Sequence, residues 1–273
     1  MCHVCVVESV KERMLSRRDL FKGSLAGAAA AATATVSVNA PAMAATPTKV
    51  ADMTHELSGE FPTYFGQPGF ASEQRFNFKE NGFNLLTMNV NEHTGTHLDA
   101  PLHFSADGQS VAEIPVENLV VPLAVIDIRE KASGDDEAQV TPDDLKAWID
   151  RNGPMPDRCC VALHSGWDKL TATPKFRNAD DQGVMRFPGF HVEAAKMLIE
   201  ETTAVGLASD TLSLDIGSSG DFATHYAWLP TNRWGIENIA NLDQVPKAGA
   251  TLVVGAPKHR GGTGGPSRIF TLM

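Results

Sequence analysis

Residues 93–104 read HTGTHLDAPLHF and gather His93, His97, Asp99 and His103 within eleven positions, three of the chain's nine histidines among them. Imidazole and carboxylate groups so densely placed suit a divalent cation better than a solvated loop, because each offers a lone pair of borderline hardness. A helix would put His93 and His97 on one face, but the intervening Thr94-Gly95-Thr96 is poor helix material. In an extended chain residues 93, 97, 99 and 103 share parity and project to one side. Full extension would still separate residues 93 and 97 by roughly 13 Å, wide for ligands that must each approach an ion to about 2.1 Å. Gly95 is therefore expected to bend the chain.

Pro101 ends strand pairing and redirects the backbone, so His103 need not bind the same ion. The spacing thus divides the labour. His93, His97 and Asp99 are candidate metal ligands, for zinc, manganese or iron, and His103 is the candidate acid/base beside them. Three protein ligands leave a coordination position for water, which is a catalytic rather than a structural design.

The elements around this cluster read as a mixed α/β domain. Short runs rich in branched residues at 123–128, 160–163, 204–208 and 251–256 read as strands. Between them, Thr141 can cap a helix whose first residue is Pro142, with Asp143 and Asp144 at its positive end and Gly153 as its stop. A second helix starts after Pro188-Gly189, with Val192, Ala195, Leu198 and Ile199 at helical spacing. Pro115, Pro122, Pro246 and Pro257 are expected at strand boundaries. No repeat or long linker interrupts the chain after the leader, so residues 45–273 are expected to form one domain.

Residues 1–44 read as an address. Arg17 and Arg18, followed by Asp19, Leu20, Phe21 and Lys22, match the twin-arginine export pattern, and Ala42-Met43-Ala44 resembles a signal-peptidase site. The Ala-rich run between them is too short and too polar for a membrane span, so cleavage after Ala44, a periplasmic protein and no stable membrane anchor are expected. Without the leader 18 basic and 30 acidic residues remain, a formal net charge of −12. Such a surface repels nucleic acid and anionic lipid, which leaves small molecules as the expected partners. Cys2 and Cys5 lie in the leader without a second pair for a zinc site. Cys159 and Cys160, adjacent in an apolar run, are expected as buried thiols rather than a disulfide.

Four aromatic residues are candidates for a substrate pocket. Tyr64 and Phe65 lie in a Pro/Gly-rich loop, and Phe104 follows the ligand cluster. Trp167, after Ser165-Gly166 at a strand end, reads equally as pocket wall or as core. The segment HRGGTGGPSR, residues 259–268, lacks the Lys-Ser/Thr ending of a phosphate loop, and its glycines fit a tight turn that brings backbone near the site. His55, His164, His191 and His259 match no ligand position, and solvated or core histidine is their default reading.

HTGTHLDAPLHF resembles the His-x-Gly-Thr-His-x-Asp-x-Pro-x-His signature of the metal-dependent cyclase family, which includes bacterial kynurenine formamidase and isatin hydrolase. ADMTHELSGEFPTYFGQPG, LHSGWDK, with Ser165 where threonine is usual, FPGFHVEAAKMLIEE, SDTLSLD, the run from His225 through WGIENIANLDQVP, and GGPSR extend the likeness from about residue 50 onward. The resemblance implies a swivelling β/β/α fold in homodimers or homotetramers. It also implies one ion on His93, His97 and Asp99, a second on His225 and Glu237 with Asp99 as bridge, and His103 as catalytic acid or base. Taken without it, Glu237 would pass for a surface carboxylate. The favoured function is hydrolysis of a small amide, cyclic amide or lactone. A metal-dependent cyclase or dehydratase acting on a small carbonyl compound is the alternative, as is a non-catalytic periplasmic binder of a metal or ligand.

Overall fold

The computed structural model describes residues 47–273, and the expected leader lies outside them. The described residues fall into two compact units, residues 47–71 with 89–273, and residues 72–88. In chain order the strands are β1 (Val50–Asp52), β2 (Phe70–Phe76), β3 (Leu85–Val90), β4 (His97–Asp99), β5 (Val120–Asp127), β6 (Gln139–Val140), β7 (Cys160–His164), β8 (Gly189–Phe190), β9 (Gly206–Ser209), β10 (Trp234–Glu237), β11 (Ala250–Gly255), β12 (Gly264–Pro266) and β13 (Arg268–Leu272). Helices α1 (Pro142–Asn152), α2 (Val192–Glu201) and α3 (Ala223–Trp228) accompany them. Nine strands form one sheet in the order β1-β13-β11-β5-β7-β9-β10-β4-β12. The centre, β5-β7-β9-β10, is parallel, and both flanks are antiparallel. β2 and β3 pair with each other as a hairpin.

Side-chain alternation explains the layers. Along β5 and β7, Leu123, Val125, Cys160 and Ala162 enter one core cluster, while Ala124, Ile126, Val161 and Leu163 enter another. Strands buried on both faces are what a parallel centre demands. One face takes Leu145 and Trp148 of α1, Ala194, Ala195 and Leu198 of α2, and Trp228 of α3. The other face curls: Ala51 and Ile269 from one flank share a cluster with Leu98 and Ile236 from the opposite flank. The result is the β/β/α layering expected from the resemblance.

Local signals place most elements. The α1 helix spans the residues its caps mark, with the Asp144 carboxylate accepting from the Thr141 amide at 2.8 Å and the Thr141 hydroxyl at 2.7 Å. Cys159 and Cys160 are free and buried, on opposite faces of the sheet. Pro122, expected at a boundary, instead lies inside β5. Only β11 flanks residues 120–122, because pairing with β7 begins at Leu123, so the missing N–H costs no ladder bond on that side.

Asp210, just past β9, ties down the turn after β7. Its Oδ2 accepts from the amides of Ser165 and Gly166 at 2.9 and 2.7 Å, and its Oδ1 lies 2.6 Å from the Ser165 hydroxyl. Complete burial pushes the Asp210 carboxyl up to about 7, against the Ser165 hydroxyl bond and with the charge of Asp168 adding to the rise. The folded state therefore holds this proton more tightly than the unfolded chain, and stability falls as pH rises from about 4 to about 7, then levels. Asp210→Asn mimics the protonated acid: its oxygen can accept from both amides while its NH2 donates to the Ser165 hydroxyl. In denaturant titrations the variant should gain on the natural protein across that window, by on the order of a few kcal/mol at its upper end. A stability difference independent of pH would rule this account out.

Candidate active site

Strand register brings the ligand candidates together. In the β4–β10 pair Glu237 lies directly across from His97, and Gly235 across from Asp99. His97 and Asp99, two apart on one strand, face the same way. Gly95, at φ 63°, makes the expected bend and returns His93 to the same place, with Nδ1 2.7 Å from Asp99 Oδ1. His103 sits in the short turn Pro101–Phe104 and stacks on His93, ring centroids 3.7 Å apart. From α3, His225 directs Nε2 towards Glu237 Oε1 at 3.1 Å and Asp99 Oδ2 at 3.7 Å.

Among the described residues two overlapping groups could hold a cation: His97, Asp99 and Glu237, and His93, Asp99 and His103. Within each group the candidate ligand atoms all lie within 4.8 Å of one another. Asp99 belongs to both. His103 offers a ring nitrogen to the second group, next to its expected place as the acid/base beside the ion.

The imidazoles are oriented from behind. His97 Nδ1 donates to the carbonyl of Gly95 at 2.9 Å, and His225 Nδ1 donates to Asp215 Oδ2 at 2.6 Å. Each bond leaves Nε2 to carry the lone pair facing the carboxylates. Asp215 is itself held by the amides of Thr224 and His225. His97 Nε2 and Asp99 Oδ2 are buried without a hydrogen-bond partner, although His97 Nε2 lies 3.2 Å from Asp99 Oδ1 and 3.4 Å from Glu237 Oε2. Unsatisfied lone pairs aimed into one point are costly unless a cation takes them.

The electrostatics agree. Burial alone would lower the His97 pKa, but the negative charge of Asp99 beside it, helped by Glu237, outweighs burial and raises it to about 10. His225 is likewise raised well above its ordinary value, burial being overcome by Asp215, Asp99 and Glu237. Burial works to raise Asp99, yet the neighbouring imidazoles, His97 foremost, hold it well below the ordinary carboxylate range. Protons on two imidazoles therefore balance two carboxylates, and one divalent cation supplies the same charge to the neutral rings. The donor set fits such an ion. His103 behaves oppositely: burial, with His93 and His225 nearby, drives it down to about 4 despite the charge of Asp99, so it is neutral at pH 7.

These groups floor a cavity of about 340 Å³ walled by Tyr64, Phe65, Phe104, Phe222 and Leu212. Phe104 packs on Phe222 and on His225, ring centroids 5.5 and 4.6 Å apart. Burial raises the Tyr64 pKa, and Glu237 adds to the rise, so its phenol stays protonated as a donor in the wall. Three of the four aromatic candidates thus line the cavity. Trp167 does not: it is 4% exposed in a core cluster with Phe176 and Phe187, and its Nε1 donates to the Phe176 carbonyl. A strand-end tryptophan satisfies its N–H in either place, which is why sequence left both readings open. Asp215 and Phe222 were not anticipated as part of the site; Asp215 reaches His225 over ten residues with no periodic signal.

The family model described as "Putative cyclase" matches residues 51–216. The chain belongs to this cyclase family. Among its relatives, an isatin hydrolase of Roseibium aggregatum is 32% identical over 196 residues, 68% of this chain and 73% of that protein. A kynurenine formamidase of Salinibacter ruber is 28% identical over 197 residues, 71% of this chain and 82% of that one. Isatin hydrolase A from Ralstonia solanacearum superposes with a TM-score of 0.77 at 32% identity, covering 82% of this chain and 92% of its own. Isatin hydrolase and kynurenine formamidase alike are hydrolases of C–N bonds other than peptide bonds.

The cation's contribution is measurable without a substrate. Chelation should lower the melting temperature, because a ligand at about 100 times its Kd stabilises by about 2.7 kcal/mol, roughly 5 °C or more for a chain this size. Zinc or manganese added back should restore it. A melting curve indifferent to both would show that the buried cluster needs only its protons.

Proposed function

We propose that the protein is a metal-dependent hydrolase that cleaves the acyl bond of a small aromatic amide, cyclic amide or lactone. One observation carries the reading: His97 Nε2 and Asp99 Oδ2, buried and unpartnered, converge with Glu237 beside a neutral His103 at the floor of an aromatic cavity. The relatives' activities, on isatin and on formylated kynurenine, are of this class. His93, His97 and Asp99 would hold one ion, and where a second binds, His225 and Glu237 would join Asp99 around it; the imidazole and carboxylate set suits zinc or manganese. When bound, a divalent ion supplies Lewis acidity, polarising the substrate carbonyl and strengthening the acidity of water.

The chain's own residues do the rest. Phe104, Phe222 and Phe65 hold an aromatic ring in a cavity of bicyclic size and keep bulk water out. A ring nitrogen of His103 takes the proton of the attacking water as oxygen bonds to the carbonyl carbon. As the acyl bond breaks, His103 returns that proton to the leaving nitrogen or oxygen. His103→Ala should therefore lower kcat for isatin or N-formylkynurenine about 100- to 10,000-fold, with metal content by elemental analysis unchanged. Turnover unaffected by the substitution would overturn the role of His103, and a natural protein without chelator-sensitive hydrolysis would overturn the function.

Export by the twin-arginine route and a homodimer or homotetramer complete the reading. Arg17-Arg18 and Ala42-Met43-Ala44 support the first. The second is supported by Phe78, Leu85, Leu86 and Met88, all exposed within residues 72–88. Fractionation of cells expressing the full chain should find the protein in the periplasm as a dimer or tetramer by light scattering. Arg17→Lys with Arg18→Lys should retain it in the cytoplasm. Periplasmic delivery of the double variant, or a monomer, would contradict the respective half of this proposal.

A further inference from the structure

The glycine-rich tail loop, unexplained by the hydrolytic reading, carries Thr263 to the back of His93. His93 Nε2 lies 2.9 Å from Thr263 Oγ1 across 170 residues of sequence. Thr263 Oγ1 in turn lies 2.5 Å from Glu92 Oε2, and the Thr263 amide points at the same carboxylate. Glu92 Oε1 accepts from His259 Nε2 at 2.5 Å, and His259 is half-exposed. A chain of contacts thus runs from the surface to Asp99: His259, Glu92, Thr263, His93.

The glycines make room for it. A Cβ on Gly262 would fall 2.1 Å from His259 Nε2, and one on Gly264 would fall 2.9 Å from His93 Cε1.

Proton counting fixes the direction of this chain. A carboxylate only accepts, so the Thr263 hydroxyl must give its single proton to Glu92. Its oxygen is then left to accept from His93, which places a proton on Nε2. His93 Nδ1 consequently meets Asp99 Oδ1 at 2.7 Å. Two lone pairs cannot face each other at that distance, so a second proton or a cation must lie between them. We propose that Glu92 and Thr263, anchored by His259, are positioning residues that lock His93 in the Nε2–H form and so commit Nδ1, together with Asp99, to the metal ion. His97 and His225 are locked the opposite way, through Nδ1, and the site combines both modes.

This rests on the metal reading above, and the test separates the two. Thr263→Val removes the hydroxyl at nearly constant shape, Thr263→Ser keeps it, and Glu92→Met removes the acceptor of the Thr263 proton at similar side-chain length while leaving Thr263 in place. Zinc affinity of the full chain is measured by competition with a chromophoric chelator. Nitrogen-15 histidine spectra of the zinc-loaded natural protein locate the ring proton, with His93 assigned by its absence in His93→Gln. Thr263→Val should bind zinc about 10- to 100-fold more weakly and Thr263→Ser close to normally. Glu92→Met should shift affinity in the same direction, and serves alone if Thr263→Val does not fold. The spectrum should show the His93 proton on Nε2 and none on Nδ1. Zinc bound by the natural protein with equal affinity in Thr263→Val and Glu92→Met, or a His93 proton on Nδ1, overturns the positioning role. A natural protein that takes up no zinc overturns the metal reading along with it.

Discussion

Asp99 and Glu237 are two carboxylates in a dry interior, and the pairing of β4 with β10 holds them in one place. Like charges so close, away from water, demand compensation, and the surrounding architecture supplies it. His97 comes from the same strand as Asp99, His93 from the bend before it, and His225 from a short helix whose first turn is clamped by Asp215. The imidazoles answer the carboxylates, and the hydrogen bonds behind them decide which nitrogen does so. His103 escapes this compensation because burial dominates its balance, which leaves a neutral base beside a cluster of charges. One constraint of strand register thereby separates binding groups from a reacting group.

How much of this was legible in sequence follows from how far apart the partners lie along the chain. The 93–103 cluster could be read because bend, strand and turn are local, and α1 could be read because Thr141, Pro142 and Gly153 mark its ends. Glu237 meets His97 only through strand register, so residue type alone would have left it on the surface, and family resemblance was needed to find it. The partnership of Thr263 with His93 and that of Asp215 with His225 leave no trace in spacing, since each depends on the finished sheet or loop. Trp167 was undecidable because core and cavity wall offer an indole the same burial. Pro122 was placed at a boundary by a rule that holds for two-sided pairing, and β5 at that point is paired on one side only.

The cavity adds a second division. Its floor is charged and oriented from behind by directional bonds, whereas its walls are aromatic and held by ring packing, as between Phe104, Phe222 and His225. Phe222 adopts a left-handed backbone at φ 49°, uncommon for a bulky residue, immediately before the helix that carries His225. Wall and ligand are thus mechanically adjacent.

The edge strand β12, with Gly264 opposite Asp99, has a consequence for the order of events in the life of the molecule. A chain growing from its N-terminus makes residues 93–104 long before it makes the strand that covers them. Until then the ligand cluster has neither Glu237 across from it nor Thr263 behind it. A cation held by the complete ligand set would therefore join a nearly finished molecule, rather than seed the collapse of the early chain.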